Sequence, residues 1–329
     1  MIAELYDSVF SIGSEIDFWE LTRRAYDYQS VNNRLYKEFV TFLGRNRDKV
    51  KTAGNIPFLP VEFFRNHRII TGERPVEIVF ESSGTSGLLP GRHYVSDLAL
   101  YERSFFKTFR QFYGEPGDYL IIALLPSYTE RGGSSLVYMA DKIIKKSHHS
   151  QSGFYKGEAD TILNAVKKGK EAGSRILLLG VSYALLDLAE SGSYSFEGIT
   201  VMETGGMKGR RKELTRSELH SILKEKFNVD TIHSEYGMTE LLSQAYSSGE
   251  GIFYCPPWMR IILRDPHDPL SLFSQPGKTG GINIIDLANL NSCSFIATGD
   301  LGKLHEDGGF EVLGRFDNSD IRGCNLMAE

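Results

Sequence analysis

From Val76 onward, short apolar runs alternate with amphipathic stretches, and this alternation constrains the fold more than any other feature of the chain. VEIVF (76–80), YLIIALL (119–125), RILLLG (175–180), ITVME (199–203) and TIH (231–233) read as buried strands. Between them, DLALYERSFFKTFRQFY (97–113), EADTILNAVKKGKEA (158–172) and TRSELHSILKEKF (215–227) carry helical periodicity. In the last of these, Thr215 followed three residues on by Glu218 is a capping-box start. Strand and helix in alternation predict an α/β domain with a mixed or mostly parallel sheet and helices on both faces. Upstream, Phe18, Leu21, Tyr26, Leu35, Phe39 and Phe42 recur at near-helical spacing and predict a helical start over 15–43. After about Gly251 the texture changes to short runs (RIILR, GINIID, SFIATGD, KLHED, FEVLG) separated by Pro, Gly and Asp turns. The expected division is therefore a helical region and α/β core over 1–250 and a smaller β-rich subdomain over 251–329.

Composition narrows the function classes. A net charge of −5 with both signs interspersed argues against a polyanion-binding surface, and no nucleic-acid-reading motif is present. The first ten residues contain Glu4 and Asp7 and lack the basic start and apolar run of a secretory signal. The most apolar stretch, 175–189, is interrupted by Gly180 and Asp187 and is too short to span a bilayer. A cytoplasmic protein is expected. Cys255, Cys293 and Cys324 are far apart, with neither CxxC nor zinc-ligand spacing, and read as free thiols.

Three loops carry candidate chemistry. In FESSGTSGLLPGR (80–92) a strand runs into Ser82, Ser83, Gly84, Thr85, Ser86 and Gly87, small and hydroxylic residues whose N–H and O–H groups can ring a phosphate. The Walker spacing and its lysine are absent, and a plain Ser/Gly surface loop is the competing reading. HSEYGMTE (233–240) follows a short strand. Its Tyr236 can stack on a base, Thr239 can bond a phosphate oxygen, and Glu240 is a hard oxygen ligand suited to Mg²⁺; a capped turn is the alternative. ATGDLG (297–302) places Asp300 on a glycine turn as an acceptor for ribose hydroxyls, and GRFDNSDIRG (314–323) offers the forked donor Arg315. Two turns with ordinary surface charges would also account for these.

ESSGTSG, TGG (204–206), YGMTE, TGD and GRFDNSDIRG, in that order, resemble the successive core motifs of the adenylate-forming superfamily of acyl- and aryl-CoA synthetases, luciferases and peptide-synthetase adenylation domains. The resemblance runs from Glu81 to Gly323. It implies an adenylate-forming α/β core, with ATP and Mg²⁺ as cofactors and a small carboxylic acid as substrate. Ser82 to Gly87 would grip the phosphates. Gly205 and Gly206 would line the adenine slot beside Tyr236 and Gly237. Thr239 would touch the α-phosphate, Glu240 would hold Mg²⁺, Asp300 and Arg315 would bind the ribose, and Asp317 would mark the hinge to a C-terminal lid.

Family members usually continue into a lid of roughly a hundred residues that carries a lysine used in adenylation, whereas this sequence ends at Glu329. A core without its lid is the expectation. Lys208, Arg210 or Arg211 would then replace that lysine, or a partner would supply a cation, or adenylation would be slow. Further stretches, NIPFLPVEFFRNHRI (55–69) and LLPSYTERGGSSLVYM (124–139), are similar to the acyl-protein synthetase branch, the long-chain-fatty-acid–luciferin-component ligases. That branch activates a fatty acid and acylates its own cysteine near the C-terminus, where Cys324 stands in this chain. Arg322 beside it would help lower the thiol pKa. Inert free thiols are nonetheless the commoner kind. His148 and His149 are either acyl-pocket or solvated residues. Three functions stay open: an acid–thiol ligase acylating Cys324 or an acyl-accepting partner, a coenzyme A ligase core resembling phenylacetate–CoA ligase, and a non-catalytic nucleotide- or acyl-binding subunit.

Overall fold

The computed structural model describes residues 2–50, 52–82, 89–125, 133–206 and 214–316. Its centre is a six-stranded sheet in the order Gly153–Phe154, Tyr119–Leu124, Arg175–Val181, Thr200–Thr204, His233–Tyr236, Ala245–Ser247. The first five strands run parallel and the last antiparallel. The long apolar runs follow from cover on both faces. The helix Ala159–Glu171 brings Gly169 down on Leu120 and Ile176, on one face. The alternate residues Ile121, Leu177 and Leu179 meet Phe109 of the helix Leu98–Tyr113 and Met139 of the helix Ser135–Lys146, on the other. The helix Arg216–Phe227 begins with the expected capping box, Thr215 and Glu218 bonding each other's backbone N–H. The last strand of the parallel set is His233–Tyr236, so the YGMTE motif starts within it and not after a strand at 231–233.

The β-rich part is a second sheet in the order Ile252–Phe253, Phe310–Arg315, Phe295–Leu304, Thr279–Asp286, Met259–Arg264, Leu272–Phe273. It also takes in a strand from far upstream: Leu59–Pro60 pairs in parallel with Ile296 and Ala297. SFIATGD and the first two residues of KLHED lie on one strand, Phe295–Leu304, whose register shifts between Leu301 and Gly302. Asp300 consequently stands within a strand and not on the turn expected from its glycines. The ladder to Phe310–Arg315 outweighs the turn propensity of Gly299 and Gly302.

The N-terminal helix predicted over 15–43 is broken into Glu15–Asn32 and Arg34–Phe42. Asn33 is the cause. Its side-chain oxygen accepts from Tyr36 N at 3.0 Å, capping the second helix, while its amide donates to Thr71 Oγ1 and to Ser292 O at 3.1 and 2.8 Å. Gln29 donates to the carbonyls of Asn289 and Leu290, each at 3.0 Å, and accepts from Ser294 N at 2.9 Å. The helices thus clamp the 287–294 loop, which in turn supports the candidate site. Ile78–Glu81 and Arg92–Val95 form a separate antiparallel hairpin, Glu81 facing Arg92.

Candidate active site

In open parallel sheets, ligands sit beyond the carboxyl ends of the strands. Here Thr200–Thr204 and His233–Tyr236 are neighbours, with Thr204 opposite Glu235, so the TGG turn and Tyr236 emerge side by side. Gly205 takes φ 67°, a left-handed conformation that glycine adopts without cost, and leaves Gly205 and Gly206 exposed. Ser182 holds the turn by donating to Gly205 O at 2.9 Å. Tyr236 is buried, its ring packed against Phe253 and Phe310 with centroids 5.9 and 5.6 Å apart.

The Tyr236 hydroxyl donates to Asp300 Oδ2 at 2.9 Å. Asp300 lies directly across the ladder from Arg315, whose Nε stands 3.7 Å from Asp300 Oδ1. Burial pushes the Asp300 carboxyl up, opposed by the Tyr236 hydroxyl and by the guanidinium groups of Arg315, Arg264 and Arg216. Residues 64 and 79 positions apart from Tyr236, respectively, thereby meet in one polar cluster; the motifs expected to act on one nucleoside are brought together.

Glu240 is buried behind the hairpin. Ser82 N donates to Gly91 O at 2.9 Å, and Gly91 N donates to Ser82 Oγ at 2.8 Å, closing the base of the Ser/Gly loop. A Cβ at Gly91 would collide with the Glu240 carboxylate, so only glycine lets the hairpin approach so closely. Burial pushes the Glu240 carboxyl up to about 7, against the fields of Arg315 and Arg65 and with that of Asp300. A buried carboxylate without an ion pair among the described residues, beside a bare glycine Cα, fits a Mg²⁺ ion that would take its remaining ligands from phosphate and water. Glu240 would hold that ion.

Sequence reasoning missed the residues that hold these groups in place. Asp286 is buried and accepts from Leu242 N (2.8 Å), Ser243 N (3.0 Å), Ser243 Oγ (2.6 Å) and Ala288 N (3.1 Å), tying down the chain just after Glu240. Asn289 donates to Glu240 O at 2.8 Å and to Cys293 O at 3.0 Å. His93 Nδ1 lies 2.8 Å from Thr239 O and Nε2 3.1 Å from Asn289 Oδ1. Both carbonyls of Thr239–Glu240 are therefore gripped from behind. Arg216 donates to Glu203 Oε1 at 3.2 Å and to Val312 O at 3.1 Å, linking the strand before TGG to the strand of Arg315. No local motif marks these residues. The run of buried Asn and Ser over 289–294 is their one visible trace.

Ser82, Gly205, Gly206, Tyr236, Gly237, Thr239, Glu240, Asp300 and Arg315 are all described. Ser83, Gly84, Thr85, Ser86, Gly87, Lys208, Arg210, Arg211, Asp317, Arg322 and Cys324 lie outside the described residues. His148 packs on Gly117, and His149 Nδ1 is 3.3 Å from Ser174 Oγ, at the end of the sheet opposite the TGG turn. This excludes both histidines from the Tyr236–Asp300 cluster.

Glu235 is a further buried carboxyl, accepting from Thr204 Oγ1. Burial pushes it up to about 7, and Glu203 adds to the rise. Because its folded value exceeds the ordinary 4.5, the native state binds the extra proton between the two. Stability is therefore lost as pH rises through about 7. Glu235→Gln is expected to raise stability at pH 8 by roughly 2–3 kcal/mol and to leave it unchanged near pH 4. Thermal unfolding across this range checks it; a gain independent of pH would show that ionisation of Glu235 is not the cause.

The fold is that of the core of adenylate-forming enzymes. An open conformation of 2-hydroxyisobutyryl-CoA ligase, in complex with 2-HIB-AMP and CoA, matches 92% of this chain and 76% of its own at TM-score 0.62 and 10% identity. ATP-bound MatB from Rhodopseudomonas palustris matches at TM-score 0.55 and 19% identity over 74% of this chain and 50% of its own. A long-chain-fatty-acid-CoA ligase (FadD1) from Archaeoglobus fulgidus gives TM-score 0.51 and 14% identity over 73% and 51%. The chain spans about half the length of the last two. No protein-family model and no curated protein matches it. Among the described residues no helix is long and apolar enough to cross a membrane.

Proposed function

We propose that this protein activates a carboxylic acid with ATP as its acyl-AMP and then transfers the acyl group to a thiol. The observation that carries the reading is the convergence of Tyr236, Asp300 and Arg315 in one polar cluster whose charges act on Glu240, itself packed against the Ser82–Gly91 loop base. An acid carboxylate attacks the α-phosphorus and the bond to the bridging oxygen breaks, the electron pair leaving with pyrophosphate. Charge grows on the phosphate oxygens, so catalysis is positioning and electrostatic stabilisation. Asp300 and Arg315 would orient the ribose, the exposed Gly205–Gly206 turn would border the adenine, and Thr239 would face the α-phosphate. Mg²⁺, when bound, would screen the phosphate charge.

The acyl acceptor we assign is Cys324, and the substrate a fatty acid, following the likeness to acyl-protein synthetases. Burial pushes the thiols of Cys255 and Cys293 up to about 12, so neither offers a thiolate at neutral pH. Transfer to Cys324 would form a thioester and release AMP, the thiol proton passing to solvent.

Intact-mass measurement after incubation with Mg²⁺-ATP and a panel of fatty acids is the test, run beside acid-dependent pyrophosphate exchange. The expected result is an acyl-sized gain, labile to hydroxylamine and missing from Cys324→Ser. Exchange without a mass gain would move the acceptor to coenzyme A or a partner thiol. Absence of exchange with every acid would overturn the adenylation reading in favour of a binding subunit.

A further inference from the structure

Among the described residues, an upstream segment brings an unpartnered cation toward this site. Leu59–Pro60 pairs with Ile296 and Ala297, and Val61 N donates to Ala297 O at 2.9 Å, which anchors this segment on the strand that carries Asp300. The helical turn Phe63–Asn66 follows. Its Phe64 is fully buried and meets the His93 ring edge-to-face, centroids 5.8 Å apart. His93 lies two residues beyond Gly91 and touches Thr239 O. The chain is thus held from both sides beside the Thr239–Glu240 segment, and the residue next to Phe64 is Arg65.

Arg65 is half-buried, and its field reaches the Glu240 carboxyl. Three other arginines around the site are occupied. Arg216 bonds Glu203 and Val312 O, Arg264 bonds Ile282 O, Asn283 and Thr298 O, and Arg315 pairs with Asp300. Arg65 makes no side-chain hydrogen bond or ion pair with the described residues. A partly desolvated guanidinium with its fork unspent is suited to a multivalent oxyanion, since the planar donors match phosphate oxygens two at a time. The fold brings this positive charge to the site from a segment more than a hundred residues upstream of the TGG turn.

We propose that Arg65 is a phosphate-binding residue of this site, gripping the β- and γ-phosphates of ATP and the pyrophosphate that leaves when the acid attacks. The assignment rests on the adenylation reading for its role in catalysis, but its ligand preference can be measured alone. AMP lacks the two phosphates that Arg65 would hold, so AMP is the internal control.

Titration calorimetry of the wild type, Arg65→Met and Arg65→Lys with Mg²⁺-ATP, Mg²⁺-pyrophosphate and AMP tests it, alongside pyrophosphate exchange and thermal unfolding. Arg65→Met is expected to weaken ATP and pyrophosphate binding by about 10- to 100-fold and exchange by at least as much. AMP affinity should stay within about twofold, and Arg65→Lys should recover part of the ATP affinity, because it restores the charge without the fork. Equal losses for ATP and AMP would show a structural role and overturn the assignment, as would unchanged ATP binding. A wild type that binds ATP but exchanges with no acid would defeat the adenylation reading while leaving the ATP-over-AMP comparison decisive for Arg65. A wild type that binds none of the three would overturn both.

Discussion

Glu240→Gln is expected to lower acid-dependent pyrophosphate exchange by about 10²- to 10³-fold, the usual loss when one charge-stabilising group of such a site is removed, without lowering the melting temperature at pH 8. The two halves of this prediction have one cause. Glu240 is buried against Gly91, with its carboxyl pushed up to about 7, so its charged form is the one the fold tolerates poorly. Gln keeps the shape and removes the charge. Its backbone carbonyl still accepts from Asn289, so the Thr239–Glu240 segment keeps its support. Adding Mg²⁺-ATP should raise the melting temperature of the wild type and raise that of Glu240→Gln much less, because a ligand stabilises only in proportion to its affinity for the folded state. Equal stabilisation of both proteins would remove Glu240 from metal binding. A wild-type exchange rate in Glu240→Gln would remove it from the reaction.

Asp286→Ala is expected to be the most destabilising single change considered, by roughly 3–5 kcal/mol. The wild-type carboxylate accepts from three backbone N–H groups and the Ser243 hydroxyl, all buried. Alanine leaves those donors unsatisfied and opens a void, and each orphaned donor costs about 1–3 kcal/mol before any relaxation. The Ser243 hydroxyl also receives the Trp258 indole N–H at 3.0 Å, so the loss spreads into the contact between the two sheets. Denaturant unfolding measures the stability, and Asp286→Asn separates charge from shape. Asparagine can replace at most some of the accepted bonds and must place its own N–H₂ among donors, so it should fall between wild type and alanine. A loss below about 1 kcal/mol for Asp286→Ala would show that the segment after Glu240 is supported elsewhere.

Much of the α/β core was legible because its signals are local. Periodicity in residues 97–113, 158–172 and 215–227 yields helices whose observed ends differ from expectation by a residue, since caps such as Asp97 and Thr215 act on their own first turns. Apolar runs at 119–125, 175–180 and 199–203 yield strands because a sheet covered on both faces tolerates no polar alternation. The break at Asn33 was not legible. Its partners, Thr71 and Ser292, are distant in sequence, and a helix-period pattern runs through the position. Asp300 was misplaced on a turn for a similar reason: a strand is stabilised by its neighbour, and Arg315 across the ladder lies on another segment.

The same distinction divides the site. By itself the sequence determined which groups are candidates for chemistry, namely hydroxyls and glycines at 82–87, the glycines of TGG, Tyr236, Glu240, Asp300 and Arg315, because their residue types and order along the chain are properties of the chain alone. Only the tertiary structure decided which of them meet: Tyr236 with Asp300, Gly91 with Glu240, and Arg65 within the field of Glu240. Contacts between segments distant in sequence leave no period or motif behind, since they are created by packing and not by the local backbone.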